Sequence, residues 1–226
     1  MQEQATGPRL AARPRNPRGA GERLRDDIIE AASELLAEHG DARQLSLRSV
    51  ARRVGIAATS VYLHFDDARQ LAAAVAVRRF EELAAAGRAA EEAAADPASA
   101  LRARVHAYCH FALEHPGHYR VMFEADLAQA IASGPGRYSG LQAFEGLVRA
   151  VARCGEAGLV EDMDDPVRVA TVLWAEEHGL VSLRISRPGF PWPPLDELID
   201  EALTRIVRLR LSLIHISEPT RQAENS

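Results

Sequence analysis

Residues 45–71 read LSLRSVARRVGIAATSVYLHFDDARQL, and the fold turns on this stretch. Leu47, Val50, Ala51 and Val54 recur at helical spacing behind Ser46, whose hydroxyl can cap a helix start. Gly55 supplies a turn residue that tolerates left-handed backbone, and Ile56 is placed to plug the elbow. A second short helix is predicted from Ala57 to His64, closed by Phe65. Two helices joined by a tight glycine turn make a helix-turn-helix, whose second member can enter a DNA major groove. The same pattern also suits a solvated hairpin in an α-bundle.

The outer face of that second helix presents Ala58, Thr59, Ser60 and Leu63. Hydroxyls can bond a base edge, and Ala or Leu can touch a thymine methyl. Tyr62, His64, Ser46, Arg48 and Arg52 are better placed to hold backbone phosphates, which sets register without reading sequence.

Working outward, the stripe Leu24, Ile28, Ala32, Leu35 and Leu36 predicts a helix from Arg23 to His39, stopped at Gly40. Asp66 or Asp67 caps a long helix predicted to reach about Gly87. Further helices are expected over Pro97–Glu114, His118–Phe123, Ala125–Ala132, 138–156 and 166–186. Ser133 to Gly136 reads as a loop, and the Pro-rich break Pro188–Pro194 leads to a last helix from Leu195 to about Arg210. The fold class is all-α. Residues 1–21, rich in Pro, Gly, Ala and Arg without periodicity, read as a disordered basic arm.

The formal net charge of −5 hides an asymmetry. Residues 1–65 carry ten Arg against eight acidic residues, whereas residues 66–226 are net −7. Overall acidity argues against an indiscriminate nucleoid-type DNA binder, but a basic N-terminal end suits phosphate contact. Every basic residue is Arg, a bias expected of a GC-rich genome. No apolar run is long enough to span a bilayer and no secretory signal is visible, so the cytoplasm is the expected location. Cys109 and Cys154 fall in helical patterns, which suits reduced thiols.

Val54-Gly55-Ile56, followed by Val61-Tyr62-Leu63-His64-Phe65 and Leu71, resembles the TetR family signature, and the helix from Arg23 matches that family's first helix. The resemblance spans residues 23–75. It implies an N-terminal helix-turn-helix domain over residues 22–68 and a helical ligand-binding and dimerisation domain over 69–210. It also implies a homodimer that binds a palindromic operator and is released by a small-molecule effector. Two positions depart from the family pattern. Ala57 stands where a capping serine is usual, and Ala68 where a lysine is usual; Arg69 is expected to take over the phosphate contact. Trp174-Ala175-Glu176-Glu177-His178-Gly179-Leu180, with His115-Pro116 and Tyr119 to Phe123 upstream, resembles the C-terminal domain of one subgroup of the family.

In the C-terminal region Phe111, Tyr119, Met122, Phe123 and Trp174 can line an apolar pocket, with His178 and His110 as polar neighbours; each aromatic also reads as ordinary core. His106 and His110 stand at i,i+4, a spacing at which two imidazoles can share a metal. That leaves a metal-responsive regulator, or a small helical metal-dependent enzyme, as the alternative. No His-Glu-x-x-His pattern, nucleophile elbow or phosphate-cradling loop accompanies the pair, so no cofactor and no catalysis are expected. Two apolar stripes are candidates for a four-helix dimer seam: Leu141, Phe144, Val148 and Val151 on one helix, and Val172, Leu180 and Leu183 on the other.

Residues 211–221, LSLIHISEPTR, resemble the translation of a transposase-based sequencing adapter. Residues 211–226 are therefore expected to be a non-native tail, from which no function is drawn.

Overall fold

The computed structural model describes residues 20–123, 139–160 and 165–207. The basic arm up to residue 19, the expected helix Ala125–Ala132 with its following loop, and the adapter-like tail lie outside the described residues. The described residues are overwhelmingly helical, in keeping with the all-α expectation.

Helix α1 spans Ala20–His39, and Gly40 ends it at φ 65°. Helix α2, Leu47–Val54, opens on a capping box: Ser46 Oγ accepts from the Ser49 amide at 3.1 Å, and Ser49 Oγ receives the Ser46 amide at 3.3 Å. Gly55, at φ 79° and ψ 30°, turns the chain left-handedly, and Ala51 O accepts from the amides of both Gly55 and Ile56. Helix α3 is shorter than expected, Ala58–Tyr62.

Helix α4 starts at Ala68, where Asp67 rather than Asp66 caps by accepting from the Gln70 amide at 2.7 Å, and it runs to Glu92. It passes Gly87 because that glycine serves packing, as described below, and the alanine-rich turns beyond it favour helix. Helix α5, Pro97–Glu114, is capped by Asp96; α6 follows at once as Pro116–Met122. Helices α7, Ser139–Glu156, and α8, Pro166–Ser186, form the outer pair. Helix α9, Leu195–Ala202, continues into a wider π turn over Leu203–Val207. No helix among the described residues is long and apolar enough to cross a membrane.

Three apolar clusters hold the chain together. The N-terminal one joins Ile28, Ala32 and Leu36 of α1 to Leu47 and Val50 of α2, Val61 of α3, Phe65, and Leu71, Ala72 and Val75 of α4. The C-terminal one joins α5, α7, α8 and α9 around Leu101, Val105, Cys109, Val151, Leu173 and Ile199. Phe80, Leu83 and Met122 make a small third cluster between them. Helix α4 is continuous across residues 68 and 69, and its first turns are part of the N-terminal core. Helix α6 reaches all three clusters: Val121 enters the first, Tyr119 the second and Met122 the third.

Candidate DNA interface and effector cavity

The helix-turn-helix is fixed from behind and open in front. Val61 and Phe65 are buried, whereas Leu63 is 84% exposed and Tyr62 53% exposed. A leucine left in water at the end of a five-residue helix has no role in the chain's own core. Thr59 is exposed, and Ala58, Ser60 and His64 are half-buried around it. Arg48 and Arg52 point outward and make no ion pair among the described residues. Arg53, beside them, is spoken for: it bonds Glu34 at 2.9 Å and Glu38 at 3.1 Å, pinning α2 to α1. Ser46 needs correction as a free phosphate ligand, because its hydroxyl is committed to the capping box. Ala57 caps α3 without any side-chain bond, and Arg69 lies exposed in the first turn of α4.

On the other side of α6 lies a cavity of about 370 Å³. Phe80 and Leu83 of α4, Tyr108 of α5, Phe123, Leu141, Phe144 and Leu147 of α7, and Trp174 of α8 give it apolar walls. Its charged lining residues are Arg104 and Glu177. The Arg104 guanidinium lies in a slot between two helices. A Cβ on Gly87 of α4 would approach it to 2.9 Å, and one on Gly146 of α7 to 2.7 Å. Its Nε donates to Glu91, which also receives Arg153 at 2.7 Å. Glu177 is 4% exposed, and its Oε1 has no hydrogen-bond partner among the described residues. Burial pushes its carboxyl well above the usual range, against the opposing pull of Arg104.

Behind the aromatic wall runs a short polar chain. Burial favours the neutral form of His178, whose Nδ1 shares a hydrogen bond with the Tyr119 hydroxyl at 2.6 Å. The Tyr108 and Tyr119 hydroxyls share a second hydrogen bond at 2.8 Å. The His178 ring also packs on Phe123 at 4.6 Å and Trp174 at 6.2 Å.

Of the expected ligand-contacting residues, Phe123 and Trp174 line the cavity and His178 supports them. Met122 is buried behind Phe80 and Leu83, and Phe111 packs on the same cluster; neither lines the cavity. His110 lies on the far side of α5, where it and His106 each approach Asp196 Oδ1 to 3.1 Å. That carboxylate, absent from the local sequence pattern, makes this a three-donor group, and its contacts tie α9 to α5. Sequence reasoning missed Arg104, Tyr108 and Glu177 as cavity residues. Their signal was present: Glu177 follows Leu173 and precedes Val181 at i,i+4, a carboxylate inside an apolar stripe.

The expected dimer seam also needs revision. Leu141, Val172 and Leu183 are exposed on α7 and α8. Val151 is wholly buried in the chain's own core, so it is not free for a partner. Phe144, Val148 and Leu180 are half-buried against that core, with Phe144 facing the cavity. Both cysteines are free and buried, and burial pushes the Cys154 thiol up to about 11.

Two family models match this chain. One, described as "Bacterial regulatory proteins, tetR family", covers residues 28–75, and another, "Tetracyclin repressor-like, C-terminal domain", covers 101–208. Among solved structures, a protein of unknown function from Rhodococcus sp. RHA1 is 28% identical, with a TM-score of 0.67 over 82% of this chain and 94% of that one. The TetR family regulator PfmR from Thermus thermophilus is 20% identical, with a TM-score of 0.58 over 81% and 98%. SmeT, the repressor of the Stenotrophomonas maltophilia multidrug efflux pump SmeDEF, is 20% identical, with a TM-score of 0.60 over 81% and 90%. An exposed reading helix behind a left-handed glycine elbow, both domain matches and these shared folds lead to one assignment: the chain belongs to the TetR family of DNA-binding helix-turn-helix regulators.

Proposed function

We propose that the protein is a repressor that binds a palindromic operator as a homodimer and leaves it when a small molecule fills the cavity. The observation that carries this reading is the position of α6. It presses Gly117 onto α1 of the DNA-binding unit and holds, through Tyr119, the Tyr108 side chain that lines the cavity. A ligand that displaces the aromatic wall therefore meets a helix in direct contact with the reading head.

Thr59, Tyr62 and Leu63 are the proposed groove-facing residues, with Ala58 and Ser60 beside them. Arg48, Arg52, Arg69 and His64 are the proposed phosphate contacts. Leu141, Val172 and Leu183, exposed on the two outer helices, are the proposed seam between subunits. A dimer is needed because one short reading helix covers few base pairs, while two held about 34 Å apart read both half-sites together.

The test is selection of bound sequences from random duplex DNA by the full-length protein, with the stoichiometry of the complex measured afterwards. Enrichment of a two-fold symmetric site, bound by an even number of chains, is the expected result. An output with no enriched sequence would overturn the proposal.

A further inference from the structure

The polar groups in the cavity are not equivalent. The Arg104 charge is answered by Glu91, and the Tyr108 hydroxyl by Tyr119. Among the described residues Glu177 is answered by nothing comparable: its Oε1 is unpartnered and its carboxyl forms no ion pair. It stands nonetheless almost fully buried on the cavity wall, beside Trp174 on the same helix. Phe144 lies 5.9 Å from the Trp174 ring and Phe123 lies 6.4 Å from it, so aromatic surfaces crowd the same space. A buried carboxyl without a partner is costly to keep, and aromatic faces attract positive charge.

We propose that the cavity takes a lipophilic organic cation, its charge held by the Glu177 carboxylate and its apolar body by Trp174, Phe144 and Phe123. This inference rests on reading the cavity as the effector site, and it adds the sign of the effector's charge. An anion would have to take Arg104 from Glu91 and would bring negative charge toward Glu177. A neutral ligand would bring no charge to answer the Glu177 carboxylate. The volume of about 370 Å³ falls in the range of small-molecule sites, roughly 300–1,000 Å³.

The test uses full-length protein, without DNA, in calorimetric titrations with three probes of similar shape. Tetraphenylphosphonium is the cation, tetraphenylborate the anion and triphenylphosphine oxide the neutral reference. The phosphonium is expected to bind at least tenfold more tightly than the oxide. Glu177→Gln should remove at least that tenfold and leave the oxide unchanged. Equal phosphonium affinity in the folded Glu177→Gln protein, or preference for the borate, would overturn the proposal. Should Glu177→Gln fail to fold, the ranking of the three probes on the unsubstituted protein decides alone. Because no DNA is present, these results are separable from the regulatory reading. Phosphonium binding through Glu177 that leaves an operator complex intact would uphold the cation site and sink ligand release. Release by the oxide without phosphonium binding would do the reverse.

Discussion

Gly117 rests on the backbone of Ala37: a Cβ at position 117 would stand 2.6 Å from the Ala37 carbonyl oxygen and 2.9 Å from its Cα. The first turn of α6 is thus seated on the last turns of α1 with no side chain between them. One residue on, His118 Nε2 lies 2.9 Å from Ser33 Oγ and 3.0 Å from Ser33 O, while Arg79 of α4 reaches the same hydroxyl at 2.6 Å. Close packing of this kind transmits displacement because no void is present to absorb it.

Gly117→Ala should therefore separate α6 from α1. The opposing atoms are main chain and cannot swing aside, so overpacking should lower stability by about 1–3 kcal/mol. Operator affinity should respond less to effector in the variant than in the parent protein. Thermal melts and operator titrations with and without effector check both points. An unaltered melting temperature would show that the two helices are not in register at this contact.

Ala57→Ser should stabilise the reading head. Residue 57 already has the extended backbone of a cap, φ −67° and ψ 139°, yet it supplies no side-chain acceptor to α3. A serine hydroxyl there should contribute about 1 kcal/mol. In a chain of this size that corresponds to a rise of about 2–4 °C in Tm. Differential scanning calorimetry on the pair measures it, and a fall in Tm would mean that the loop cannot accept the hydroxyl.

The helix-turn-helix was legible because its determinants are local. Ser46, Gly55, Val61 and Phe65 fix a cap, a turn and two buried faces within a short stretch of chain, and each behaves in the structure as its spacing implies. The cavity was only half legible. Phe123 and Trp174 announce themselves as large aromatics, but a sequence does not say which face of a helix turns to which neighbour. Phe111 and Met122 carry the same chemistry and pack behind the wall instead. The Arg104 slot needs Gly87 and Gly146, from two other helices, to be glycine at one point in space. The helix predicted to reach about Gly87 runs on to Glu92, since in sequence a glycine that ends a helix and one that admits an arginine look alike. Val151 shows the same gap, since an apolar stripe does not distinguish a core face from a face shared with a second subunit.

The Tyr119–His178 bond should make the protein acid-sensitive. Burial holds His178 below its ordinary value of 6.5, and burial does the same to His118. A histidine depressed on folding contributes stability that is present above pH 6.5 and is lost as pH falls toward the folded value. Protonation also leaves Nδ1 only a donor toward the Tyr119 hydroxyl. Tm should therefore fall as pH drops from 7 to about 5.5, and more gently in His178→Gln, where His118 alone remains. A parallel fall in both proteins would place the titration elsewhere.

Glu177 should act in the opposite direction. Its carboxyl is raised above the ordinary 4.5, burial outweighing the attraction of Arg104 on α5, with Tyr108 and Cys109 of α5 and Tyr119 of α6 as its other titratable neighbours. A carboxyl raised on folding leaves stability intact below its unfolded value and removes it as pH rises through the folded one. Glu177→Gln cannot ionise, so the variant should match the parent protein near pH 5 and exceed it at pH 8 by about 1–3 kcal/mol, the penalty for a buried polar group left unpaired. Melts of both proteins across that range measure the difference directly. A Gln variant less stable than the parent at pH 8 would mean that Arg104 fully pairs the carboxylate. The gain in stability and the loss of cation binding should then appear together in one substitution, because the carboxylate that is costly to bury is the one that receives the cation.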